Sequence, residues 1–138
     1  MRFFGDDAGC WAADADMHKL IELHNQARNG ASWAWSIKPL ETDGRLMTYA
    51  QGWAEKMASS RRMRHSSMRD IIKLGFSRVG ENIAWGQKDE ESVMRAWLWS
   101  PGHRANIMST SNTHIGCGAK KDANGRLYWC VCFGKPKV

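Results

Sequence analysis

Two periods of apolar residues divide this chain. From Met17, "MHKLIELHNQARNG" sets Leu20, Leu23, His24 and Ala27 on one helical face. Asp14 or Asp16 can cap its start, and Gly30 stops it. "ASWAWSIKP" is a Trp-rich connection. A second helix is predicted over "GRLMTYAQGWAEKMASSRRM", capped by Thr42 or Asp43, with Leu46, Tyr49, Ala50, Trp53 and Met57 at helical spacing. The stretch "RHSSMRDIIKLGFSRVGENIAWGQ" has short apolar pieces and glycines but no long period. A third helix is predicted from Asp89 to Trp99, with Val93, Met94 and Trp97 inward and Pro101 ending it. "HRANIMS" fits one more helical turn.

The period then changes. "HIGCGAKKDANGRLYWCVCFGK" reads as a β-hairpin by its alternation and its Asn124-Gly125 turn. A two-residue turn there sets Cys117 opposite Cys132, with Cys130 on the same face. Helices first and a hairpin last predict an α+β fold with an antiparallel sheet. Residues 1–16 read as an irregular leader and 17–138 as a single domain.

Composition adds a few constraints. The 138 residues are 43% hydrophobic and 25% charged, which fits one globular core. No apolar run is long enough to suggest a transmembrane segment. Eight residues are Trp, so several indole N–H groups need partners. The net charge of +6 favours anionic surfaces, but Lys and Arg are scattered, which argues against specific nucleic-acid binding. The four cysteines, Cys10, Cys117, Cys130 and Cys132, form no CxxC. A disulfide within the C-terminal group is expected, with Cys10 a candidate for a second; four reduced, buried thiols are the alternative. Disulfides would imply an oxidising compartment. The start "MRFFGDDAGCW" does not read as a signal peptide. Export then follows removal of a leader or another route, such as lysis or carriage in a virus particle.

Of five histidines, His24 reads as a core residue with polar packing from Asn25 and Arg28. His18 and His114 lack supporting context. His65, Glu81 in "VGENIAWG" and His103 in "WSPGHRANI" supply two imidazoles and a carboxylate from separate element ends. Such a set can hold Zn²⁺ with an open fourth position, although no local HExxH motif is present.

These pieces together resemble the CAP superfamily, the SCP-domain proteins that include cysteine-rich secretory proteins, venom antigens and pathogenesis-related proteins. The resemblance spans residues 17–134 and rests on ordered motifs. They are "HNQAR", "PLETDGRLMTYAQGWAEKMA", "RHSS", "GENIAWG", "VMRAWLWSPGHRANIM" and the closing hairpin. It implies a three-layer α-β-α sandwich around a small antiparallel sheet. It further implies a cleft where His65 and His103 hold a divalent metal, most often zinc. Glu81 would sit beside them, bonded to a histidine or to water on the metal. By the same resemblance His24 stays outside the set, and Asn82 and Arg104 tie loops together. Two positions depart from the pattern. Ser100 stands where many relatives carry a second Glu, as in the compact bacterial branch. Thr42 stands where a Trp is usual, with Trp33 and Trp35 as candidates to fill that volume. The Cys-rich extension of the animal proteins is absent, so ion-channel blocking is not implied.

Three functions are consistent with this reading. One is an extracellular or otherwise exported module that binds a lipid, peptide or glycan. Another is a hydrolase with Glu81, His65 and His103 as its catalytic group, zinc-dependent or activating Ser66 or Ser100. The third is a structural or adhesion subunit of a larger assembly.

Overall fold

The computed structural model describes residues 14–31 and 36–138. Cys10, Trp33 and Trp35 lie outside the described residues. In chain order the elements are α1 (Met17–Asn29), β1 (Glu41–Thr42), α2 (Gly44–Ser60), α3 (Met68–Ile72), β2 (Phe76–Trp85), α4 (Glu90–Trp99), α5 (Pro101–Met108), β3 (His114–Lys121) and β4 (Leu127–Pro136). The sheet order is β1-β3-β4-β2, antiparallel except for the two-residue edge pairing of β1 with β3.

Three helices start where an aspartate caps them. The side chains of Asp16, Asp43 and Asp89 accept from the free backbone N–H groups of the first turns of α1, α2 and α4. Each inward stripe then meets one face of the sheet. Met17, Leu20, Val93, Met94, Trp97 and Ile107 pack from α1, α4 and α5 against Cys117, Ala119, Trp129, Val131 and Phe133. On the other face, Leu46, Ala50, Ala54, Met57 and Ile71 pack from α2 and α3 against Ile83, Tyr128, Cys130 and Cys132. This is the three-layer sandwich. β4 is covered on both faces, so Leu127–Gly134 are all buried and the strand reads as a continuous apolar run rather than an alternating one.

The hairpin register differs from expectation. The loop closes through Asp122 N–H to the Arg126 carbonyl (2.8 Å) and Gly125 N–H to the Asp122 carbonyl (3.0 Å), with Gly125 at φ +80°. Asp122 Oδ1 also accepts from the backbone of Asn124 and Arg126. That longer turn slips the ladder by one residue, so Cys117 pairs with Val131 while Cys132 pairs with Gly116. A one-residue slip moves a side chain to the other face. Cys117 therefore lies on the α1 side, and Cys130 and Cys132 lie on the α2 side. The disulfide expected within the C-terminal group is not formed among the described residues: the register puts Cys117 on the opposite face from Cys130 and Cys132, and all three are buried free thiols, as in the alternative reading.

Two further elements correct the sequence reading. The stretch without a period contains the ten-residue strand β2. α4 ends at Trp99 before Pro101 as expected, but Pro101 also begins a two-turn helix: Ser100 stands between the two, and Pro101 occupies the first turn of α5, where its missing N–H is harmless. The α2 layer approaches the sheet closely because β3 presents Gly116 and Gly118. A Cβ at either position would overlap the backbone of Leu46 or Gln51.

Candidate functional site

Glu81 lies midway along β2, paired with Cys132 across the ladder, and is only 5% exposed. A buried carboxylate needs donors, and this one has four contacts. Oε1 accepts from the Ser66 backbone N–H (2.9 Å) and His65 Nδ1 (2.9 Å). Oε2 accepts from Ser66 Oγ (2.5 Å) and, more distantly, Cys130 Sγ (3.7 Å). The loop 61–67 that supplies His65 and Ser66 leaves α2 through Arg61, a non-glycine residue at φ 52°. His65 stays exposed (60% of its side chain), whereas Ser66 is buried.

His103 stands in the first turn of α5, and its Nδ1 hydrogen-bonds Ser100 Oγ at 2.9 Å. Ser100 thus orients the histidine. Asn82 Nδ2 donates to the His103 carbonyl (3.0 Å). Asn106 Nδ2 donates to Asn82 Oδ1 (2.9 Å) and to the Glu81 carbonyl (3.3 Å). These bonds fasten α5, and with it His103, to the middle of β2 beside Glu81. Gly80 allows the approach, since a Cβ there would stand 3.0 Å from Asn106 Oδ1. Burial lowers the His103 pKa, and the neighbouring His65 charge lowers it further. The structure therefore bonds His65 directly to Glu81 and ties the part of α5 that carries His103 to the Glu81–Asn82 segment of β2.

Arg104, expected to tie loops, is exposed and has no side-chain hydrogen bond among the described residues. Arg28 does this instead. Fully buried, it donates to the carbonyls of Lys38 (2.7 Å), Ile107 (2.8 Å), Ser109 (2.9 Å) and Asn112 (3.2 Å), clamping α1 to the end of α5. Nor do Asn25 and Arg28 partner His24. His24 is fully buried between Trp97 and Phe133, its Nδ1 donates to the Leu20 carbonyl (2.8 Å), and its Nε2 has no partner among the described residues. Burial pushes its pKa down to about 4.

Sequence reasoning missed one chemical neighbour of Glu81. Among the described residues, Glu81, Cys130 and Cys132 bring three ligand atoms within 4.8 Å of one another. The i, i+2 spacing of the cysteines was visible, but their place beside Glu81 depends on the β2–β4 register. Away from this site, a groove of about 590 Å³ runs between α1 and α2, lined by His18, Ile21, Thr42, Met47, Gln51 and their neighbours. No helix among the described residues is long and apolar enough to cross a membrane.

The model of the cysteine-rich secretory protein family, CAP, matches residues 21–133. Protein YkwD of Bacillus subtilis is 36% identical over 108 residues, covering 72% of this chain and 40% of YkwD. The chain thus spans well under two thirds of that relative. An outer surface protein of Borrelia burgdorferi superposes with a TM-score of 0.77 at 26% identity, covering 87% of this chain and 92% of that one. NaASP2, solved with Zn²⁺, superposes at 0.68 with 16% identity, covering 93% and 88%, a likeness of fold. With the family model spanning most of the chain and the sandwich matching solved members, this chain belongs to the CAP, or cysteine-rich secretory protein, family.

Proposed function

We propose that this chain is an exported CAP domain whose His65/His103 cleft binds a divalent metal, zinc above all, and that it acts mainly as a ligand-binding module. The observation that carries this reading is the orientation of the two imidazoles. His65 Nδ1 is held by Glu81 and His103 Nδ1 by Ser100, which leaves each Nε2 as the ring nitrogen available to a metal. Anchoring one nitrogen to an oxygen is how proteins orient histidine ligands. The depressed pKa of His103 keeps that ring neutral at physiological pH, as a ligand must be. Zinc at such a position would supply Lewis acidity. NaASP2, of the same fold, was solved with Zn²⁺.

Binding is favoured over hydrolysis because the Glu81 oxygens are already engaged by His65, Ser66 and Cys130. A general base needs a free lone pair within reach of its proton. Ser66 Oγ is buried against that carboxylate, and Ser100 Oγ is occupied with His103. The groove between α1 and α2 offers a mainly apolar lining to an organic ligand, a lipid, peptide or glycan. Calorimetric zinc titration tests the metal reading. The expected result is one zinc ion per chain fewer in the His65→Ala/His103→Ala double variant than in wild type, with no turnover of peptide or ester substrates by either. A titration unchanged in the double variant would overturn it.

A further inference from the structure

We infer that Cys130, Cys132 and Glu81 form a second, inner metal site, selective for a thiophilic divalent cation of the Zn²⁺ type. It lies on the α2 face of the sheet, behind the histidine cleft, and does not depend on that cleft binding metal.

The cysteines sit at i and i+2 on β4, so both side chains leave the same face. Gly116 and Gly118 flank them on β3, and Glu81 and Ile83 flank them on β2. The Sγ atoms are 3.8 Å apart, and Cys130 Sγ is 3.7 Å from Glu81 Oε2. Two sulfurs bound to one tetrahedral zinc at about 2.3 Å each stand about 3.8 Å apart. The thiol pair therefore already has the spacing of two ligands on a common ion, and the carboxylate oxygen lies within reach of the same centre. Two thiolates and a carboxylate suit a soft or borderline cation over Mg²⁺ or Ca²⁺. Ser66 Oγ, against Glu81 Oε2, is a nearby oxygen donor for a fourth position.

The two carboxylate oxygens divide the work. Oε1 is held by the Ser66 backbone N–H and His65 Nδ1, while Oε2 takes the Ser66 hydroxyl and lies nearest the Cys130 sulfur. Binding replaces the Cys130 S–H contact to Oε2 with a bond from the ion, and two thiol protons leave to solvent. No oxidation is involved. The loop 61–67 covers Glu81 through His65 and Ser66, with exposed residues on either side of buried Ser66. Cys117, equally buried but on the opposite face, is an internal control.

Cobalt(II) separates this site from the cleft, because only thiolate ligation gives an intense near-ultraviolet sulfur-to-cobalt charge-transfer band. The reduced full chain is equilibrated with Co²⁺ without oxygen until the spectrum stops changing. The band is expected at one ion per chain, and Zn²⁺ should displace it. It should persist in Cys117→Ser and in His65→Ala/His103→Ala, vanish in Cys130→Ala and Cys132→Ala, and require at least tenfold more Co²⁺ in Glu81→Gln. No band in the wild-type chain, or a band that survives both alanine variants, would overturn the inference. Because the double histidine variant retains the band only if the inner site is independent, failure here and failure of the cleft reading give different results.

Discussion

Replacing His24 by Leu should make the protein less sensitive to acid. In the folded chain the His24 ring is fully buried, with one nitrogen on the Leu20 carbonyl and the other without a partner among the described residues. Burial lowers its pKa from 6.5 to about 4, helped by the charge of Arg28 and opposed by the Leu20 hydrogen bond. Unfolded, the same ring takes up a proton near 6.5. Between those values the unfolded state binds more protons, so stability falls as the pH drops. The contribution is complete above pH 6.5 and lost by about pH 4. At about 1.4 kcal/mol for each tenfold step, that difference corresponds to about 3 kcal/mol. Urea unfolding of wild type and His24→Leu between about pH 7.5 and pH 4 measures it. Carboxylates such as Asp43 and Asp89, whose pKa values are lowered by their partners, destabilise both proteins in acid, so the difference between the curves is the quantity of interest. The variant should lose about 3 kcal/mol less than wild type over that range. Parallel curves would refute the argument.

Gly118→Ala should lower stability by at least about 2 kcal/mol, read from the thermal midpoint, because the new methyl overlaps the α2 backbone at Gln51 and the helix must move. An unchanged midpoint would show that α2 does not rest on that strand. Arg28→Met orphans four carbonyls at about 1 kcal/mol or more each, so a loss of about 4 kcal/mol in denaturant titration is expected; a loss below about 1 would contradict the clamp. Glu81→Gln removes the charge that orients His65, and zinc affinity at the cleft should fall about 10–100-fold by calorimetry. Undiminished affinity would mean that Glu81 does not orient the ring.

Helices α1, α2 and α4 were legible because their signals are local, whereas the short α3 was not. Asp16, Asp43 and Asp89 stand at the caps, and Leu20, Leu46 and Val93 begin stripes that the fold buries. β2 was not legible. Its centre carries Glu81 and Asn82, polar residues that break an apolar pattern, and their burial is tolerated only because Ser66, His65 and Asn106 arrive from distant segments. The hairpin was visible but its register was not, since the Asp122 side chain, more than the Asn-Gly pair, shapes the turn. That single step separated Cys117 from Cys130 and Cys132 and placed the latter two beside Glu81. Arg28 and Arg104 look alike in sequence, and tertiary packing alone decides which of them is buried.

The central claim is that each cleft imidazole is fixed through Nδ1 and presents Nε2 to a metal. Nitrogen-15 NMR of the histidine rings tests it most directly, with zinc added to the Cys130→Ala/Cys132→Ala variant so that only the cleft responds. The account predicts a protonated Nδ1 on His65 before zinc is added. It also predicts zinc-induced shifts centred on Nε2 of both His65 and His103, with His24 unmoved. Shifts centred on Nδ1, or a response confined to one of the two rings, would contradict it.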